Sequence, residues 1–200
     1  MNFLDLSIML DNCNGMHIKV VFLQPGPNAA FMNRLVAKAT GGFCHVELIF
    51  PDVQRNQWLA TSIHSNESLY LRTDKTFSNP GYTVLCLWIT GEECCRMRQF
   101  AHKQFESNIQ FDETGMYLAL LPVQLFAARV GKTFCSKYVL DCLQHTGIPA
   151  LQQYNSNIIS PSKLWSILYK HERCVVGALH SRMQDLQNND KTPLLHLLDA

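Results

Sequence analysis

Three side chains in this chain have the types and settings for acyl-transfer chemistry: Cys135, His45 and Glu47. Cys135 stands near the start of K-T-F-C-S-K-Y-V-L-D-C-L-Q-H-T-G (132–147). In that run Phe134, Tyr138, Cys142 and Leu143, with Val139 beside them, recur at the three-to-four spacing of one buried helical face. Gly131 supplies a break before this helix, Thr133 is the expected N-cap, and His145 and Gly147 mark its end. The cysteine then falls in the first turn. There the unpaired backbone N–H groups and the positive end of the helix dipole favour a thiolate, and the same groups can donate to an oxyanion. The expected base is His45, in G-F-C-H-V-E-L-I-F (42–50), which reads as a strand after a glycine pair. Residues two apart share a strand face, so Glu47 projects with His45 and can fix the tautomer of its imidazole. A nucleophile, a base and a polar group that orients the base make up a cysteine-hydrolase constellation.

The run M-N-R-L-V-A-K-A-T-G-G-F-C-H-V-E-L-I-F (32–50) resembles the helix, turn and histidine-bearing strand of the circularly permuted NlpC-type papain-like hydrolases. Residues 134–149 are similar to the nucleophile helix of that family, and I-S-P-S-K-L (159–164) resembles its Ser/Thr-Pro-x-x-Leu segment. Histidine precedes cysteine here, which is the order of the permuted branch with its bacterial, poxvirus and lecithin retinol acyltransferase-like members. The matching pieces lie between Lys19 and Leu168.

The resemblance implies an α+β, papain-like fold in which an antiparallel sheet packs against helices, one of them carrying the nucleophile. It implies a thioester acyl-enzyme on Cys135, with His45 as general base and then acid, and no cofactor. The expected activity is that of a peptidase or amidase on a peptide or acyl-amide substrate. Ordinary members take the orienting group from the next strand, which sets Thr61, Ser62 and His64 beside Glu47 as candidates. An acyltransferase or thioesterase acting on lipid-like acyl groups, and an inactive binding or scaffold protein, belong to the same resemblance.

Composition narrows the classes. With 200 residues, 47% apolar and 16% charged, the chain reads as one globular domain with room for a core. A net charge of +1 from 17 basic and 16 acidic residues, without an aromatic-interleaved basic patch, argues against a nucleic-acid partner. The longest apolar run, 116–130, is interrupted by Pro122, Gln124 and Arg129 and falls short of the ~18 uninterrupted residues of a membrane span. The lead-in M-N-F-L-D-L-S-I-M-L lacks a basic start and carries Asp5, so no signal peptide is expected. That favours a reducing, cytoplasmic setting, the host cytoplasm if the chain is viral, and free thiols for all eight cysteines. No C-x-x-C pair is present, Cys94 and Cys95 are adjacent, and Cys13 with His17 stands alone, so no structural metal is expected.

The elements that must position the three groups follow in chain order. Residues 1–17 are expected as an extension, 18–179 as the domain and 180–200 as a flexible tail. Strands are expected at 17–23, 43–50, 58–63, 69–71 and 82–89, the last buried on both faces, in a mostly antiparallel sheet, with a final strand at 174–179. Helices are expected at 28–40 before Gly41-Gly42, at 91–106 with acidic residues in its first turn, at 116–128, at the Cys135 segment, and at 162–169 after Ser160-Pro161. Cys44, whose side chain alternates away from that of His45, and Cys142, two turns past Cys135, are expected in the core.

Overall fold

The structure is a computed structural model that describes residues 15–52, 55–75, 77, 81–119 and 131–177. Residues 1–14 of the expected extension, the tail and most of the 116–128 helix lie outside the described residues, and Met16 and His17 of that extension belong to the first strand. Met16–Leu23 (β1), M-H-I-K-V-V-F-L, is β-branched and aromatic over its second half and buried there on both faces. Such a strand needs cover on each side, and it holds a central place in a six-stranded sheet. The other members are His45–Asp52 (β2), Gln57–Ser62 (β3), Tyr70–Arg72 (β4), Tyr82–Ile89 (β5) and Cys174–Gly177 (β8). Their order is β4-β3-β2-β1-β5-β8, and every neighbouring pair is antiparallel. The fold is α+β, with helices packed on this sheet.

Period-two alternation sorts the side chains of β2. Val46, Leu48 and Phe50 join Ile18, Val20, Phe22, Leu85 and Leu87 in the main core, under the helix Cys135–Gln144 (α4). Ile49 lies on the other face with Val21, Trp58, Ala60, Phe77 and Val84. Tyr138, Val139, Cys142 and Leu143 of α4 reach the first cluster at the spacing read from the sequence. β5 differs from expectation. Trp88 is 42% exposed, because it alternates onto the face opposite Leu85, Leu87 and Ile89, which fill the main core.

Local chemistry explains the remaining ends. Phe31–Thr40 (α1) stops at Gly41, whose φ of 104° is a left-handed cap that suits glycine. Gly91–Glu106 (α2) opens with a capping box, Thr90 Oγ1 accepting from Glu93 N–H while the Glu93 carboxylate accepts from Thr90 N–H. Gln110–Phe111 (β6) pairs in parallel with Lys132–Thr133 (β7), and between them Asp112 caps Glu113–Leu118 (α3). Thr133 is therefore not the cap of α4. It is buried in this small ladder, Phe134 takes the N-cap position, and no side chain caps the helix. After α4 come Pro149–Gln152 (α5), a 3₁₀ turn at Ser156–Ile158, and Pro161–Tyr169 (α6), capped by Ser160 Oγ. No described helix is long and apolar enough to cross a membrane.

The layering has a measurable consequence. Leu48 is fully buried in the core under α4, so Leu48→Ala should cost about 3 kcal/mol in urea unfolding. A loss below about 1 kcal/mol would mean that β2 does not present this face to the helix.

Candidate active site

Two chain segments converge at the first residue of β2. The turn before it is held from α6: Ser162 Oγ accepts from Phe43 N–H at 2.9 Å, and Thr40 Oγ1 donates to Phe43 O at 3.0 Å. Cys44 N–H then bonds Leu23 O at 2.9 Å, and pairing with β1 begins at His45, opposite Leu23. From the other side, the β6–β7 ladder delivers the chain to α4, and Ser136 Oγ donates to Ile159 O at 2.7 Å in a buried bond. Cys135 is the first helical residue and is only 5% exposed. Its sulfur faces the backbone N–H groups of Val46 and Ser136, so the thiol lies against the peptide that joins His45 to Val46.

A cleft beside the sulfur is lined by Val36, Cys44, Met116, Ala119, Phe134, Cys135, Ser136, Ile159, Ser160 and Pro161. Cys44 is buried as expected, yet it borders this cleft with Cys135 instead of sitting in remote core. The reason is that β2 starts at His45, leaving Cys44 in the turn where the cleft opens. Cys142 is fully buried in the main core. Burial raises the Cys135 thiol to about 12, and the N–H groups of Val46, Ser136 and Cys135 itself only partly offset this. The Cys135 thiol is thus neutral at neutral pH. The expectation of a first-turn thiolate gives way because loss of solvation outweighs the uncapped helix end.

The imidazole of His45 belongs to a second cluster, on the Glu47 face of β2. Its Nε2 is 3.6 Å from Glu47 Oε1, and its ring stacks on His64 with centroids 4.3 Å apart. No hydrogen bond joins His45 to Cys135 among the described residues. Glu47 has no solvent exposure. Its Oε2 accepts from the Tyr70 hydroxyl at 2.5 Å, and its Oε1 lies 3.4 Å from both the Tyr82 hydroxyl and Lys75 Nζ. Lys75 Nζ is also 3.4 Å from His64 Nε2. Burial first, then the charges on His64 and Lys75, hold His45 well below the ordinary imidazole range, and His64 is lowered by burial and Lys75. Both rings are neutral at neutral pH. Burial and Glu47 raise the Tyr70 and Tyr82 hydroxyls, which therefore remain donors.

The structure therefore brings His45 and Glu47 together and sets Cys135 against the His45 backbone. Thr61 and Ser62 are committed elsewhere. Thr61 Oγ1 donates to Tyr70 O at 2.7 Å and lies 2.8 Å from the Tyr138 hydroxyl, whereas Ser62 Oγ donates to Val46 O at 2.7 Å. His64 and Glu47 are the candidates within reach of the ring. Sequence reasoning missed Tyr70, Lys75 and Tyr82. For the two tyrosines the only available signal was their placement in strands near Glu47, and for Lys75 there was none.

The two lowered imidazoles set a pH dependence. A folded pKa below the unfolded 6.5 means that the unfolded chain takes up the proton first as pH falls. The contribution is complete above 6.5 and is lost as pH falls through the folded values. Thermal unfolding should show Tm dropping between about pH 7 and about pH 5, with a shallower drop in His45→Gln. A wild-type Tm that holds or rises on acidification would contradict the burial of neutral His45. Comparison with models of protein families, with curated proteins and with solved structures finds no match.

Proposed function

We propose that this chain is a cysteine hydrolase with a permuted papain-like architecture, which cleaves an amide through a thioester on Cys135. The observation that carries the reading is the meeting of two segments: a thiol at the first residue of an uncapped helix lies against the peptide of a histidine whose Nε2 is directed at a buried carboxylate. With Nε2 turned to Glu47, Nδ1 is the nitrogen left to serve as base.

Because the thiol rests neutral, its proton leaves as the sulfur attacks. The S–C bond forms while His45 takes the proton, and Glu47 stabilises the imidazolium. The carbonyl oxygen gains negative charge and draws on the first N–H groups of α4, which no side chain caps. Return of the proton from His45 to the nitrogen releases the amine as the C–N bond breaks. Water, with His45 as base again, then frees the acid from the thioester. Val36, Met116, Phe134 and Ile159 make much of the cleft wall apolar, which favours an apolar acyl group. The same wall supports a second reading, in which an alcohol or amine replaces water and the enzyme is an acyltransferase.

An acyloxymethyl ketone carrying an apolar acyl chain tests this, with the labelled residue found by peptide mass spectrometry. Label should concentrate on Cys135, vanish in Cys135→Ala, and slow ~10²-fold or more in His45→Ala. Label spread over the other thiols at rates indifferent to His45 would leave a binding or scaffold protein.

A further inference from the structure

One buried ring nitrogen in this cluster has no hydrogen-bond partner. It is His45 Nε2, on a side chain that is 10% exposed, and its 3.6 Å from Glu47 Oε1 is too long for a hydrogen bond. A buried polar atom left without a partner costs free energy, and a bound ion is one of the few things that can satisfy it. Two further ligand atoms converge on it: His45, Glu47 and His64 each offer one, and all three lie within 4.8 Å of one another. We propose that His45, Glu47 and His64 form a three-ligand site for a divalent transition metal such as zinc, in the space that the Lys75 ammonium now faces.

The donor set decides the class of metal. Two imidazoles and a carboxylate suit zinc, cobalt or nickel and leave a fourth position open, whereas calcium and magnesium want more oxygens. The carboxylate is prepared for one-oxygen ligation. Tyr70 holds Oε2 at 2.5 Å, and Oε1 is the oxygen that faces His45. His45 is set by the sheet, while His64 follows β3 in a turn and is only partly buried, so His64, whose ring now stacks on that of His45, is the ligand that turns to meet the ion. The ammonium of Lys75 sits 3.4 Å from both Glu47 Oε1 and His64 Nε2, a cation against two of the three ligands. Metal and ammonium compete for this place, and the lysine swings outward when the metal enters.

Occupancy has a consequence that rests on the proposed catalytic reading. A metal on Nε2 opposes protonation at Nδ1, so the bound ion inhibits attack by Cys135.

Cobalt(II) titrated into the full chain tests the site directly by its visible d–d absorption. One ion per chain should bind without sulfur-to-cobalt charge-transfer bands, at least about tenfold more weakly in His64→Ala and in Glu47→Gln, and about tenfold more tightly in Lys75→Met. The gain expected from Lys75→Met cannot arise from misfolding. A spectrum dominated by thiolate bands, affinity unchanged in His64→Ala, or weaker binding in Lys75→Met would overturn the site. Zinc should also slow acyl labelling of Cys135 in the wild type and not in His64→Ala. Cobalt binding with labelling unaffected by zinc would remove the inhibitory role, and cobalt binding in a chain that shows no labelling at all would remove the enzymatic reading and keep the metal site.

Discussion

A carboxylate with no contact with solvent is the constraint around which one face of this protein is arranged. Taking a carboxylate charge out of water costs several kcal/mol unless hydrogen bonds and opposite charge compensate. The compensation comes from three other segments: Tyr70 from β4, Tyr82 from β5 and Lys75 from the connection between them. Each donor is far from Glu47 in sequence, so the cluster fixes β4 and β5 relative to β2. Removing one donor leaves the carboxylate partly unpaired, which costs more than the lost hydrogen bond alone.

One strand serves two purposes because its side chains alternate. Val46, Leu48 and Phe50 hold α4 by burial, while His45 and Glu47 of the same strand face the polar cluster. The sulfur meets this strand at the backbone of His45, so the packing that stabilises the sheet also sets the depth of the thiol. That depth keeps Cys135 protonated at rest, and it makes the proposed chemistry depend on proton transfer during attack instead of on a standing thiolate. A thiol kept neutral in this way is also less open to adventitious oxidation.

Much of this was legible in the sequence, for local reasons. The pairing of His45 with Glu47 follows from a period of two, and the first-turn position of Cys135 from the three-to-four spacing of Phe134, Tyr138 and Cys142. The antiparallel strands and the helix over 91–106 were readable from runs bounded by Gly and Pro and from the acidic first turn after Gly91. What failed depended on contacts between distant segments. Thr133 looked like a cap until Phe111 paired with it across a parallel ladder. The raised Cys135 thiol was hidden for the same reason, because burial is a property of the assembled core and the helix dipole is a property of the segment.

The central proposal is that the His45 imidazole takes the proton of Cys135 as the sulfur attacks. Long-range nitrogen–proton NMR of the His45 ring, recorded for the wild type and for Cys135→Ala, addresses it most directly. The account predicts that deleting the thiol shifts the His45 Nδ1 resonance and its titration and leaves Nε2 nearly unchanged. Identical Nδ1 shifts and titration in the two proteins would show that the two groups are independent, and the enzymatic account would fail.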